Sequence, residues 1–248
     1  MVLYRDKTHP VKPTEKKKLI QQTIKEAPVY LLIDSLQLND AQITYQEKVE
    51  EETKPGNINF VNLQASVSNI TNDSIMLQEG AIMTASAQTY IMGVGKLQAD
   101  FNFSLGAVEN YHSIKGTASS MQMEVINPML QYVAFAEVQS GTVNRLNFEV
   151  KLNENTSTGS MEFFYEDLKI DLLNKGEKEG KKGLVSFFAN TFIIKKANPL
   201  NEKFRPGQMY FERDKNKSMI NFWWKSLLSG LKDSMGLPSD KPDDTTQK

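Results

Sequence analysis

The chain contains no cysteine. That excludes disulfides, thiolate-bound zinc, iron–sulfur clusters and thiol nucleophiles. Histidine is almost absent too: only His9 and His112 occur. His9 falls in a charged, proline-containing N-terminal stretch, and His112 follows Tyr111 at the start of a strand-like segment, where a structural role is expected. No apolar run approaches the length needed to cross a bilayer. Met1 to Lys18 lacks the apolar stretch of a secretory signal, so a role outside the cytoplasm predicts a targeting segment upstream. The sequence also lacks H-E-x-x-H, G-x-S-x-G and P-loop patterns. Gly93-Val94-Gly95-Lys96 lacks the flanking residues of a phosphate motif and reads as a hairpin turn between two strands. Glu166 and Asp167 are adjacent on a strand, so they face opposite sides and cannot act on one substrate atom. No catalytic, cofactor-binding or metal-binding residues are therefore named, and an enzyme is not expected.

What is present is ordinary for a globular protein: 40% hydrophobic and 24% charged residues in a chain of 248. That length accommodates one large β-rich domain or two small ones. The formal net charge of −1 conceals a segregation. Residues 26–174 carry 19 acidic and 7 basic side chains, whereas residues 175–225 carry 12 basic and 5 acidic ones. The acidic part would repel phosphate, so nucleic acid is not an expected partner. A basic C-terminal region fits either contact with an anionic surface or a set of solvated loops.

Residues 1–28 read as a linker followed by a short helix from Leu19 to Glu26, ended by Pro28. Alternating strand-like segments follow at 29–38, 41–48, 57–69, 81–92, 95–105, 112–125, 142–152 and 160–173. Asn39-Asp40 and Asn72-Asp73 are turn signals. The apolar parity of 57–69 switches near Val61, which predicts a bulge. Short turns favour an antiparallel meander, and the length of the strands favours a strongly curved, trough-like sheet over a compact sandwich. The fold class is thus mainly β, with the β domain over residues 29–236 and a disordered tail over 237–248.

Two segments depart from the β rhythm. Pro128 to Val138 reads as a short crossover helix. Lys217 to Met235 reads as a longer amphipathic helix, with Ile220, Trp223, Trp224, Leu227, Leu228, Leu231 and Met235 on one arc and Asn221, Lys225, Ser229 and Lys232 on the other. Phe222 alone falls on the polar side. The apolar arc is expected to cap the end of the sheet, the other option being a membrane surface.

The order of several segments resembles the AsmA family of envelope proteins. These are Met121-Gln122-Met123 to Asn127-Pro128, Ser140-Gly141-Thr142, and Gly159 through Tyr165-Glu166-Asp167-Leu168-Lys169-Ile170. Ala189-Asn190, Asn198-Pro199, Met209 to Asp214, Phe222-Trp223-Trp224-Lys225 and Gly230-Leu231-Lys232 follow, and Leu32 to Leu36 with Ala41 to Tyr45 resembles the family's strand pair. The resemblance implies a curled sheet with an apolar groove, in the periplasm, tethered to the inner membrane through a segment upstream of this chain. It implies a non-enzymatic module that binds or conducts phospholipid or another acyl lipid in outer-membrane biogenesis. An assembly module acting through contacts with envelope proteins, without lipid, is the alternative. No cofactor is implied.

The residues themselves leave one choice open. Strands that alternate apolar and polar must cover one face. Helices can close that face into an ordinary core, or it can stay open as a groove. Phe101, Phe103 and Leu105 share one strand parity and are the groove candidates.

Overall fold

A computed structural model describes residues 1–9, 16–106, 110–173 and 194–239. The elements are β1 (Val2–Asp6), α1 (Ile20–Lys25), β2 (Leu32–Lys48), β3 (Gly56–Thr71), α2 (Ser74–Gln78), β4 (Ile82–Ile91), β5 (Gly95–Ser104), β6 (His112–Ala118), β7 (Met121–Gln122), α3 (Asn127–Val133), β8 (Ala136–Leu152), β9 (Thr156–Leu172), β10 (Gly207–Glu212) and α4 (Met219–Ser234). Among the described residues ten strands form one open sheet in the order β1-β2-β3-β4-β5-β6-β8-β9-β10, with β7 paired to β8. All pairings are antiparallel except β1 with β2, so the expected mainly β, antiparallel architecture holds apart from one edge.

Local chemistry explains the connections. The β4–β5 hairpin turns at Met92 and Gly93, both with positive φ (50° and 76°), the pair of conformations that matches the twist of flanking strands. Asp73 caps α2 by accepting from the N–H groups of Ile75 and Met76. Asn39-Asp40 is not a turn: the chain runs through it as one strand, and Asp40 (φ 51°) marks a bulge. The bulge expected near Val61 lies at Asn62 (φ 52°), where the registers of β3 with β2 and β4 both shift.

The sheet bends strongly. In strand order β4, β5 and β6 separate β3 from β8, yet the seven-residue α3 packs against both. A Cβ on Gly56, at the start of β3, would meet the Val133 side chain and the Met129 carbonyl of α3 at under 3 Å. A helix of this length spans only about 10 Å, so the sheet must curl to bring both strands to it. At the opposite end, α1 covers the same face: Leu19 is fully buried, Ile24 packs on the Met83–Phe103–Leu105 cluster, and Gln22 donates to Glu154 in the β8–β9 turn.

Several sequence expectations need correction. Residues 2–6 are not linker but an edge strand parallel to Thr44–Lys48, held by Arg5 and Lys7 against the buried carboxylate of Glu47. The crossover helix ends at Val133 and β8 begins at Ala136, because Phe135 (φ 51°) turns the chain. The strand expected over 112–125 breaks at Ala118, and Met123–Ile126 is a 3-10 turn. Leu237, assigned to the tail, is buried in the main core. Linker residues 10–15, the basic stretch 174–193 with Ala189-Asn190, and residues 240–248 lie outside the described residues.

Candidate functional site

Residue pairings across the sheet define complete rows. On one face runs Leu36–Val67–Ala85–Phe101–Ile114–Val150–Gly159–Met209, and beside it Leu38–Ala65–Ala87–Ala99–Gly116–Phe148–Met161–Gly207. On the other face the row between them is Gln37–Ser66–Ser86–Asp100–Lys115–Glu149–Ser160–Gln208. One face is therefore apolar through eight strands, and the other polar through the same eight. The apolar face also carries α1, α3 and α4, so it is the inner face of the bend.

This inner face is covered unevenly. From β6 to β10 it is closed: Ile114, Phe148, Val150, Met161 and Met209 are buried in the main core beneath α4. From β5 to β2 the cover thins: Ala99 still packs against the main core and Ala85 and Val67 against the Met83–Phe103–Leu105 cluster. Ala99, Ala85, Ala87, Ala65 and Val67 are only half-buried, and at the rim Leu36 and Leu38 are 57% and 46% exposed. The side chains change with the cover. The closed part carries Phe and Met, whereas the uncovered part has a floor of four alanines on three adjacent strands. That floor is about 10 Å wide at the usual strand spacing. Phe101 and Trp223, with ring centroids 5.2 Å apart, stand on its covered side.

The groove candidates divide. Phe101 is half-buried at the border of the uncovered floor. Phe103 and Leu105 do not line it: with Met83 they form a closed cluster under α1, because Ile24 and Leu77 fill the space above them. Nothing local in the sequence marks the alanine floor, because its members lie on three strands that only pairing brings together.

Helix α4 is seated over more of its circumference than its apolar arc alone. Phe222, Ser226, Ser229 and Gly230 are buried. The Ser226 hydroxyl donates to Ser157 Oγ at 2.7 Å. Gly230 and Gly207 permit the approach: a Cβ on Gly230 would meet Met209 Cγ at 2.6 Å, and one on Gly207 would meet the Gly230 carbonyl at 2.3 Å. Within the apolar arc Leu228 and Met235 are buried, Trp223, Leu227 and Leu231 pack half-buried against the main core, and Ile220 (59%) and Trp224 (43%) are exposed. The helix thus lines the inside of the bend, with five of the seven residues of its apolar arc in or against the core.

The N–H of Trp223 donates to Nε2 of fully buried His112 at 2.8 Å. An indole N–H only donates, so Nε2 accepts and the imidazole proton sits on Nδ1. Gln21 of α1 lies beside Nδ1; the amide orientation that presents Oε1 to the ring satisfies that proton and the otherwise unpartnered buried oxygen. Burial, with a smaller contribution from the Arg213 charge, lowers the His112 pKa to about 4. One neutral histidine thereby joins β6, α1 and α4 at the edge of the uncovered floor.

Compared with known proteins, the chain matches no family model, no curated protein and no solved structure.

Proposed function

We propose that the chain is a non-enzymatic envelope module that holds the acyl chains of a lipid on the uncovered part of its inner face. The observation carrying this reading is the alanine floor. A face meant to be closed by protein gains stability from large side chains, as the β6–β10 half illustrates with Phe148, Met161 and Met209. Small side chains on an apolar, uncovered strip leave depth for a guest, and apolar area left open marks a binding surface. The segments resembling the AsmA family support the same reading. In that reading the module works in the periplasm, tied to the inner membrane by a segment upstream, and serves lipid transport in outer-membrane biogenesis.

A fluorescent fatty acid tests it. The native protein is expected to raise the probe's emission saturably. Ala87→Trp, which fills the floor, should reduce that binding at least tenfold, whereas Ser86→Trp on the polar face should not. Equal binding by the two variants, or none by the native protein, would refute the proposal. A second reading, an assembly module working through protein contacts, is favoured by the edge of β2.

A further inference from the structure

The two edges of the sheet are treated differently. At the β10 edge, α4 wraps round and occupies the outward N–H groups: Gln208 donates to Asp233 Oδ2 at 2.8 Å and Tyr210 to Ser229 Oγ at 3.0 Å. Such capping is how proteins prevent a sheet from adding strands. At the other edge, β1 covers only Thr44–Lys48 of β2. The stretch Leu32–Asp40 is exposed throughout and, among the described residues, has no strand on the side away from β3.

Hydrogen-bond phase identifies which groups are left over. Leu105 N–H donates to the Ala81 carbonyl and Met92 N–H to the Asn59 carbonyl, so odd-numbered residues of β4 bond β5 and even-numbered ones bond β3. Ser66 and Ser68 therefore face β4, and Ala65 and Val67 turn their backbone groups to Leu38 and Leu36. The N–H and C=O groups of Ser35 and Gln37 therefore point outward, away from the sheet. On either side of Gln37, the side chains of Leu36 and Leu38 end the apolar rows of the inner face, both exposed. Neither lysine nor proline guards this edge. The charges on it are Asp34 and Asp40, both acidic.

We propose that the Leu32–Asp40 edge of β2 takes an extended strand of a partner polypeptide, by β-augmentation. The strand it fits alternates apolar side chains toward the inner face with polar ones toward the outer face, and places a lysine or arginine beside Asp34. Main-chain hydrogen bonds would supply affinity and the alternation register. The neighbouring stretch of the same edge already holds one strand, β1, in this manner. The inference stands on the strand edge and does not depend on lipid occupying the floor.

The test uses a fluorescein-labelled peptide of alternating valine and threonine with a central lysine, titrated with the whole chain and followed by anisotropy. Saturable binding is expected, at least tenfold tighter than for a peptide of the same composition with the alternation scrambled. Gln37→Pro removes an outward N–H while sparing the β3 ladder, so it should abolish binding with an unchanged circular dichroism spectrum. Should that variant misfold, Asp34→Lys decides: it should reverse the preference from the lysine peptide to its glutamate counterpart. No binding, equal binding of the scrambled peptide, or an unreversed charge preference would overturn the proposal.

Discussion

Trp223 and His112 are 111 residues apart in sequence, and the indole N–H of one donates to the imidazole Nε2 of the other at 2.8 Å. The bond carries α4 across the bend: Trp223 also lies 5.2 Å from Phe101 and 6.4 Å from Phe103 by ring centroid. A helix seated on β9 and β10 is thereby fastened to β5 and β6, where the cover of the inner face thins.

The fastening should depend on pH. The folded-state pKa of His112 is about 4, below the ordinary 6.5. Below pH 6.5 the unfolded chain binds the proton first, so folded stability declines as pH falls from 6.5 toward 4 and is unaffected above. The expected loss is on the order of 3 kcal/mol. Urea unfolding at a series of pH values measures it, and His112→Gln should flatten that slope.

The two tryptophans should differ. Trp223 is packed among rings and hydrogen-bonded, so Trp223→Ala should cost about 3 kcal/mol. Trp224 faces outward, and Trp224→Ala should cost about 1 kcal/mol or less. Denaturant midpoints of the two variants check this, and a larger loss at Trp224 would extend the core contact of the apolar arc to that residue.

Gly230 lies where α4 touches β10. Gly230→Val would drive a branched side chain into Met209 and Met161. A loss of about 1–3 kcal/mol is expected. Release of the caps at Gln208 and Tyr210 should follow, seen as faster amide exchange in β10.

Phe103 belongs to a closed cluster, so Phe103→Glu should unfold or severely destabilise the chain by burying a carboxylate. Ala87→Glu, on the uncovered floor, should leave a folded protein. Thermal melts of the two variants separate core from open surface.

Much of the sheet was legible because strict alternation from β4 to β9 admits one register in which every apolar side chain faces inward. Strand β1 was hidden by its composition: Arg5, Asp6 and Lys7 read as linker, and the buried Glu47 in β2 gives Arg5 and Lys7 a partner. Helix α4 was legible in part. Its arc of large apolar residues shows in the sequence, but Ser226, Ser229 and Gly230 are small enough to approach the sheet as well, and contact follows closeness of fit. The candidate site was least legible. Ala65, Ala87 and Ala99 lie on three strands, and only the pairing of those strands makes them neighbours.

Lipid occupancy is tested most directly by native mass spectrometry of the intact chain purified from cells without detergent. The account expects a phospholipid-sized adduct on the native protein and on Ser86→Trp, lost in Ala87→Trp while its charge-state distribution stays that of a folded chain. A native protein without an adduct, or an adduct that survives in folded Ala87→Trp, would contradict it.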